Sequence, residues 1–401
     1  MKQSEIINKT EEYVLHTYNR FPLAVESGNG VRVRGADGRE YLDFMAGIAV
    51  YALGYHYPGY DEALIEQIGK VIHTSNLYYH EPLAKAAEKV VRSTGLSKVF
   101  FTNSGAEAIE GALKAARKYA WNKTGRAGHE IIAMNDSFHG RSVGALSVTG
   151  NAHYRDPFKP LMGGVKFADY NDIDSVRACL TDDTCAIIME TVQGEGGIYP
   201  ADPECLAEIR RICDERDILL ILDEIQCGMG RTGSMWAFEQ YGIRPDILTC
   251  AKALGCGVPV GAFVLNEKAA SGSLVPGDHG TTYGGNPFVL SAVSTVFDLY
   301  EANGITEHAA KAAVYLAAAL DRLKDKYPCI TAHRGLGLMR GLEFSVEVPA
   351  GKVAALALEK GLMIITAGGN VLRFVPPLVI EEADIDEAVS VLDSCIAELT
   401  A

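Results

Sequence analysis

Residues 218–226 read ILLILDEIQ, and residues 247–255 read ILTCAKALG. Each is a short apolar run that stops abruptly at charged or polar residues, as a strand buried inside a sheet does. Side chains alternate along a strand, so Asp223 and Ile225 share one face and Glu224 takes the other. Lys252 follows the second run and sits between two small residues, Ala251 and Ala253. A lysine near a strand end is ordinarily just solvated. An acid ending one buried strand and a lysine just past another is also the pair that pyridoxal phosphate (PLP) chemistry needs. The lysine forms a Schiff base with the aldehyde, and the acid keeps the pyridine nitrogen protonated so that the ring can draw in electrons.

Working outward, further apolar runs read as strands near 98–102, 130–134, 185–190 and 261–265. Amphipathic segments at 106–120 and 203–217 lie between them and read as helices. Such alternation implies a largely parallel sheet covered on both faces. Past residue 285 the pattern changes to one long or two joined helices over 287–327, then a glycine-rich stretch, RGLGLMRGLEF (334–344), and a helix near 350–361. We therefore expect an N-terminal segment, 1–45, packing with the C-terminal part, a large domain over 46–285, and a small α+β domain over 286–401.

Composition narrows the function. Apolar residues form 48% of the 401, enough for a sizeable core. The net charge of −14, with no basic run, argues against nucleic acid and anionic membranes as partners. The nine cysteines are scattered and form no CxxC pair, the N-terminus lacks an apolar leader, and no stretch is long enough to span a membrane. These features lead us to expect a cytoplasmic protein. The histidines show no HExxH spacing and no GxSxG elbow occurs, so neither a metal site nor a serine nucleophile is indicated.

Several motifs could serve a PLP site, each with a plainer reading beside it. Asn103-Ser104-Gly105-Ala106-Glu107 opens the 106–120 helix, where free N–H groups could cradle phosphate; Ser104 with Glu107 would equally make an ordinary capping box. In Ser137-Phe138-His139-Gly140-Arg141, Phe138 could lie on a cofactor ring and Arg141 could grip a carboxylate, or the stretch is a plain loop; His139 receives no role. GMGRTG (228–233) has dinucleotide-type spacing, but Asp223 to Cys227 intervene after the strand, so we read it as a flexible loop beside the site. HGTTYGGNP (279–287) could place a threonine on phosphate or simply turn the chain. Glu195, in QGEGG (193–197), gains interest only if it meets Arg373 of VLRFVPPL, which sequence distance cannot decide.

Taken in order, YLDFMAGIAVYALGYHYP, SNLYYHEPLA, VFFTNSGAEAIEGALKAARKY, SFHGRSVGALSVTG, QGEGGIYPA, LLILDEIQCGMGRTG, TCAKALGCGVPVGA, HGTTYGGNP and NVLRFVPPL resemble the class III aminotransferases, closest to their acetylornithine and ornithine branch, from about residue 18 to 390. The resemblance implies PLP fold type I, an α/β fold with a mostly parallel seven-stranded sheet, helices on both faces and a smaller α+β domain. It makes Lys252 the Schiff-base lysine, Asp223 the partner of the ring nitrogen, and Gln226 the neighbour of the cofactor's 3-oxygen. Ile225 and Phe138 would press the two ring faces, and Ser104, Gly105 and Ala106 would hold the phosphate. Thr282 would reach the phosphate of a neighbouring subunit, so a homodimer is implied. Arg373 would bind the α-carboxylate of 2-oxoglutarate, Glu195 would cover that arginine when the other substrate is present, and Arg141 and Tyr18 would be further substrate contacts. The implied reaction moves the ω-amino group of N2-acetylornithine to 2-oxoglutarate, giving N-acetylglutamate semialdehyde and glutamate in arginine biosynthesis. Ornithine, succinylornithine and 4-aminobutyrate are the alternative donors. A PLP-dependent racemase or epimerase is the alternative of another class, but it has no use for a Glu195–Arg373 switch. The sequence departs from the family at Glu190-Thr191, where Glu-Pro is frequent, and at Tyr51 and Tyr55, where Asn and His are usual. These positions bear on the donor rather than the cofactor.

Overall fold

The computed structural model describes residues 1–401. ILLILDEIQ forms the strand Leu219–Asp223, buried throughout, at the centre of a seven-stranded sheet. The strand order is Lys98–Thr102, Gly261–Leu265, Ile247–Cys250, Leu219–Asp223, Thr184–Glu190, Glu130–Met134 and Val165–Ala168. Gly261–Leu265 runs antiparallel to both neighbours, and the other pairings are parallel. Side-chain alternation divides the core. Leu219 and Ile221 join a cluster with Ile109, Ala112 and Ala116 of the helix Gly105–Thr124 on one face. Leu220 and Leu222 join a larger cluster with Leu206 and Ile209 of the helix Pro203–Arg216 on the other. This is the expected α/β arrangement of a largely parallel sheet between helical layers.

The six expected strands form within a residue of their expected bounds. The seventh, Val165–Ala168, is a mostly half-buried sheet-edge strand, so its apolar signal is weak. The helix after Ser104 runs to Thr124, beyond the expected residue 120. The C-terminal helical stretch is two helices, Pro287–Asn303 and Ile305–Lys326, joined at Gly304 in a left-handed conformation (φ +58°). Pro287–Asn303 packs on the helices Tyr60–Ile68 and Glu81–Thr94, whereas Ile305–Lys326 packs on the C-terminal helix Glu382–Thr400. A four-stranded antiparallel sheet lies below them, in the order Ile330–Leu336, Met339–Phe344, Val371–Phe374, Ile365–Ala367. The N-terminal strands Val25–Asn29, Arg32–Gly35 and Glu40–Asp43 form another sheet, which Leu362–Met363 extends by pairing parallel to Glu40–Asp43. No helix is long and apolar enough to cross a membrane.

One expectation fails. The stretch Gly228–Gly233 is not a flexible loop. Met229, Arg231 and Thr232 are buried, and backbone hydrogen bonds close its turns: Gly230 N–H to the Met235 carbonyl at 3.0 Å and Gly233 N–H to the Gly230 carbonyl at 3.0 Å. Glycines here allow close packing of backbone rather than motion.

Candidate active site

Parallel strands deliver their carboxyl ends to one edge of the sheet, and in open α/β sheets that edge is where ligands bind. Asp223 and Glu190 are register partners at this edge. Asp223 is 4% exposed. Its Oδ1 accepts the Ile225 N–H at 3.0 Å, which turns the chain out of the strand, and its Oδ2 lies 2.7 Å from His139 Nδ1. His139, given no role from sequence, is thus the direct support of the acid. Burial opposes charging of its imidazole, but the hydrogen bond and charge of Asp223, with Glu190 beyond, outweigh it and hold His139 above the ordinary histidine value. The backbone N–H of His139 is fixed on Thr149 Oγ1 at 3.0 Å. Glu190, also missed, receives the Phe138 N–H at 3.1 Å and the Gly194 N–H at 3.0 Å, so it ties two loops of the site together. Burial above all raises its carboxyl to about 7.

Lys252 lies just past the strand Ile247–Cys250, in a left-handed backbone conformation (φ +49°). That region is unfavourable for a residue with a Cβ and recurs where a side chain must be aimed. The acids that face it are already engaged, Asp223 with His139 and Glu195 with Arg373. Burial lowers its amine to about 8, with Glu195 and Asp223 opposing and Arg373 assisting. A depressed lysine is neutral, and so nucleophilic, above its pKa. Covalent capture of PLP by the apoprotein is therefore expected to accelerate about tenfold per pH unit up to about 8 and then level off. Stopped-flow absorbance would check this, and a midpoint near the ordinary lysine value would contradict it.

Lys252 and Asp223 line a cavity of about 510 Å³. The same cavity is also lined by Ser104, Gly105, Ala106, Phe138, Ile225, Gln226 and Arg141. Ser104 caps its helix, accepting the Glu107 N–H at 3.2 Å, but the capping box of the plainer reading is not completed: Glu107 Oε2 accepts the Asn103 N–H instead, at 2.8 Å. Gly105 and Ala106, as first residues of that helix, still present N–H groups without intrahelical partners. A Cβ on Gly105 would come within 2.8 Å of Ile225, so the backbone reaches the wall only because the residue is glycine. The donor set fits PLP: free N–H groups at a helix N-terminus for the phosphate, a buried acid for the ring nitrogen, the apolar side chains Phe138 and Ile225 for the ring, and a single lysine.

Arg373, 2% exposed, and Glu195 do not themselves line this cavity; they pair with each other, and Arg373 donates to the lining residue Gln226 at Oε1, 3.2 Å. Burial works against the Glu195 carboxylate, but Arg373 prevails and holds it below the ordinary range. The exposed guanidinium of Arg141 lies 3.9 Å from the Tyr154 ring centre and 5.3 Å from that of Phe138. Two further expected site residues do not line the cavity either. Tyr18 is 71% exposed, and Thr282 is exposed and does not line the cavity of its own chain.

The class III aminotransferase family matches residues 13–396. The chain belongs to the class III aminotransferases. It is 46% identical to the acetylornithine aminotransferase of Methanocaldococcus jannaschii over the whole of both chains. It is 45% identical to that of Caldanaerobacter subterraneus, over 98% of this chain and 100% of the other. Among solved structures, it resembles the ornithine aminotransferase of Toxoplasma gondii, which holds PLP at partial occupancy in its active site. The TM-score is 0.95 at 29% identity, covering 100% and 95% of the two chains. The N-acetylornithine aminotransferase of Stenotrophomonas maltophilia aligns with a TM-score of 0.84 at 34% identity, over 98% and 99%. This chain is a PLP-dependent aminotransferase of fold type I, with an amino donor and a keto acid as substrates.

Proposed function

We propose that this aminotransferase takes the ω-amino group of N2-acetylornithine and passes it to 2-oxoglutarate, giving N-acetylglutamate semialdehyde and glutamate. The observation that carries the reading is the full-length similarity, at 45–46% identity, to acetylornithine aminotransferases from two distant organisms. The ion pair of half-buried Glu195 with buried Arg373 supports it independently, because two substrates of different shape must share one site.

When bound, PLP supplies an aldehyde that receives the amino group and a ring that accepts electrons from the substrate carbon. Lys252, freed by the incoming donor, would carry the proton at the substrate carbon; an amine lowered to about 8 titrates close enough to neutrality to give and take it. Asp223, backed by His139, would hold the proton on the ring nitrogen. Phe138 and Ile225 would keep the ring flat between them, and Ser104, Gly105 and Ala106 would anchor the phosphate. Arg373 would grip the α-carboxylate of 2-oxoglutarate through a forked contact. While the ω-amino donor is bound, Glu195 would neutralise Arg373, since a buried arginine left unpaired is costly. Arg141 would meet a second carboxylate.

A second copy of the chain would complete the site. Leu77, Tyr78 and Tyr79 are 86%, 69% and 100% exposed, and Tyr283, beside Thr282, is 62% exposed. Such an apolar surface fits a homodimer in which Thr282 reaches the other chain's phosphate. Sedimentation showing an active monomer would remove this part of the reading.

The test of the donor is a panel of ω-amino compounds assayed for glutamate formed from 2-oxoglutarate. Acetylornithine is expected to exceed ornithine, succinylornithine and 4-aminobutyrate in kcat/KM by at least about tenfold, the discrimination a few well-placed polar contacts provide. An equal or reversed ranking would overturn the assignment.

A further inference from the structure

Arg231 is 1% exposed and has no acid beside it. Its Nη1 donates to two main-chain carbonyls, those of Leu338 at 3.3 Å and Pro376, while Nη2 finds no partner. Burial lowers the guanidinium to about 10. Stability alone is a weak reason for such a group, because an apolar side chain of similar volume would pack there without the penalty of a buried charge.

What the guanidinium touches is informative. Leu338 leads into the strand Met339–Phe344, and Pro376 lies just past the strand Val371–Phe374. These strands are antiparallel, so both carbonyls stand at the same end of the pair, next to the register partners Arg340 and Phe374. The next register pair is Gly341 and Arg373. The joint is tight on the backbone side as well. The Leu338 N–H donates to the Arg231 carbonyl at 2.8 Å. Gly337 has φ +56°, and a Cβ there would lie 2.3 Å from Thr232 Cα. Arg231 itself ends the segment that leaves the Asp223 strand, within a turn closed by its N–H on the Gly228 carbonyl at 3.3 Å.

We propose that Arg231 is a positioning residue for the keto-acid acceptor: it pins the strand pair carrying Arg373 to the segment carrying Asp223, setting the distance between the carboxylate grip and the point of amino transfer. The inference rests on Arg373 binding the acceptor's carboxylate. Both carbonyls draw on one nitrogen, Nη1, which the rigid guanidinium plane holds between them; methionine offers no donor and a lysine ammonium sits on a shorter, freely rotating stem, and a small misplacement of a gripping group weakens binding markedly.

The experiment uses the PLP-loaded enzyme with Arg231→Lys and Arg231→Met, and Arg373→Lys as a reference. The KM for 2-oxoglutarate is expected to rise about tenfold in both Arg231 variants, with kcat, the single-turnover rate with the amino donor alone and the cofactor absorption within about twofold of the parent. If Arg231→Met does not fold, Arg231→Lys, which keeps charge and bulk, decides. An acceptor KM within twofold of the parent, or an equal loss in the donor half-reaction, overturns the inference. If Arg373→Lys also leaves the acceptor KM unchanged, the reading of Arg373 fails; if it raises KM and the Arg231 variants do not, only the role of Arg231 fails.

Discussion

Replacing Lys252 with alanine is expected to lower turnover by on the order of 10⁴-fold, the upper range for loss of a positioned proton carrier, while PLP still binds. The two halves of this expectation have separate causes. Binding rests on groups that the substitution leaves in place: the helix N-terminus at Gly105 and Ala106, the walls Phe138 and Ile225, and the Asp223 carboxylate. Turnover rests on an amine, and Lys252 is the only lysine lining the cavity. The bases that remain in the cavity, His139, Glu190 and Asp223, are engaged with one another or with backbone N–H groups, and none is an amine. Parallel measurements of turnover and of the visible absorption of the lysine-linked cofactor check both halves. Turnover within tenfold of the parent would show that another group carries the proton.

Asp223→Asn comes next in size, with turnover lower by roughly 10²–10³-fold, the loss typical of removing one preorganised charge-stabilising group. The asparagine keeps the shape of the carboxylate, and its side-chain oxygen can still accept a hydrogen bond, but it carries no charge to hold a proton on a ring nitrogen. It also removes the charge partner of the fully buried His139. A buried imidazole whose partner is weakened costs about 1–3 kcal/mol, so the melting temperature should fall as well. Steady-state kinetics and thermal unfolding of the same preparation separate the two effects. A variant with near-parental kcat would mean that the ring nitrogen does not depend on this acid.

How much of this was legible in the sequence follows from what a linear pattern can carry. ILLILDEIQ and ILTCAKALG announced their strands because central strands are apolar throughout and end sharply, and that sharp ending also exposed Asp223 and Lys252. VKFA gave no such signal, since an edge strand mixes half-buried and buried positions. His139 was invisible as a partner of Asp223 because the two are 84 residues apart and only the folded sheet brings their loops together. The available hint was its place beside Phe138 at a strand end. Glu190 ends a buried strand as Asp223 does, and the same reasoning could have found it. Arg231 was misread because glycine spacing suggests mobility, while the main-chain carbonyls that hold it lie more than a hundred residues away. Residues such as Tyr18 and Thr282, exposed on the single chain, follow from family resemblance alone and acquire a role only with a second subunit or a bound substrate.

The central claim is that one amine, at Lys252, links covalently to the cofactor. Borohydride reduction of the PLP-loaded enzyme, followed by proteolysis and mass spectrometry, tests it most directly. A single pyridoxyl-phosphate adduct on the peptide containing Lys252 is predicted. An adduct on a different lysine, or none on a catalytically active enzyme, would contradict the account.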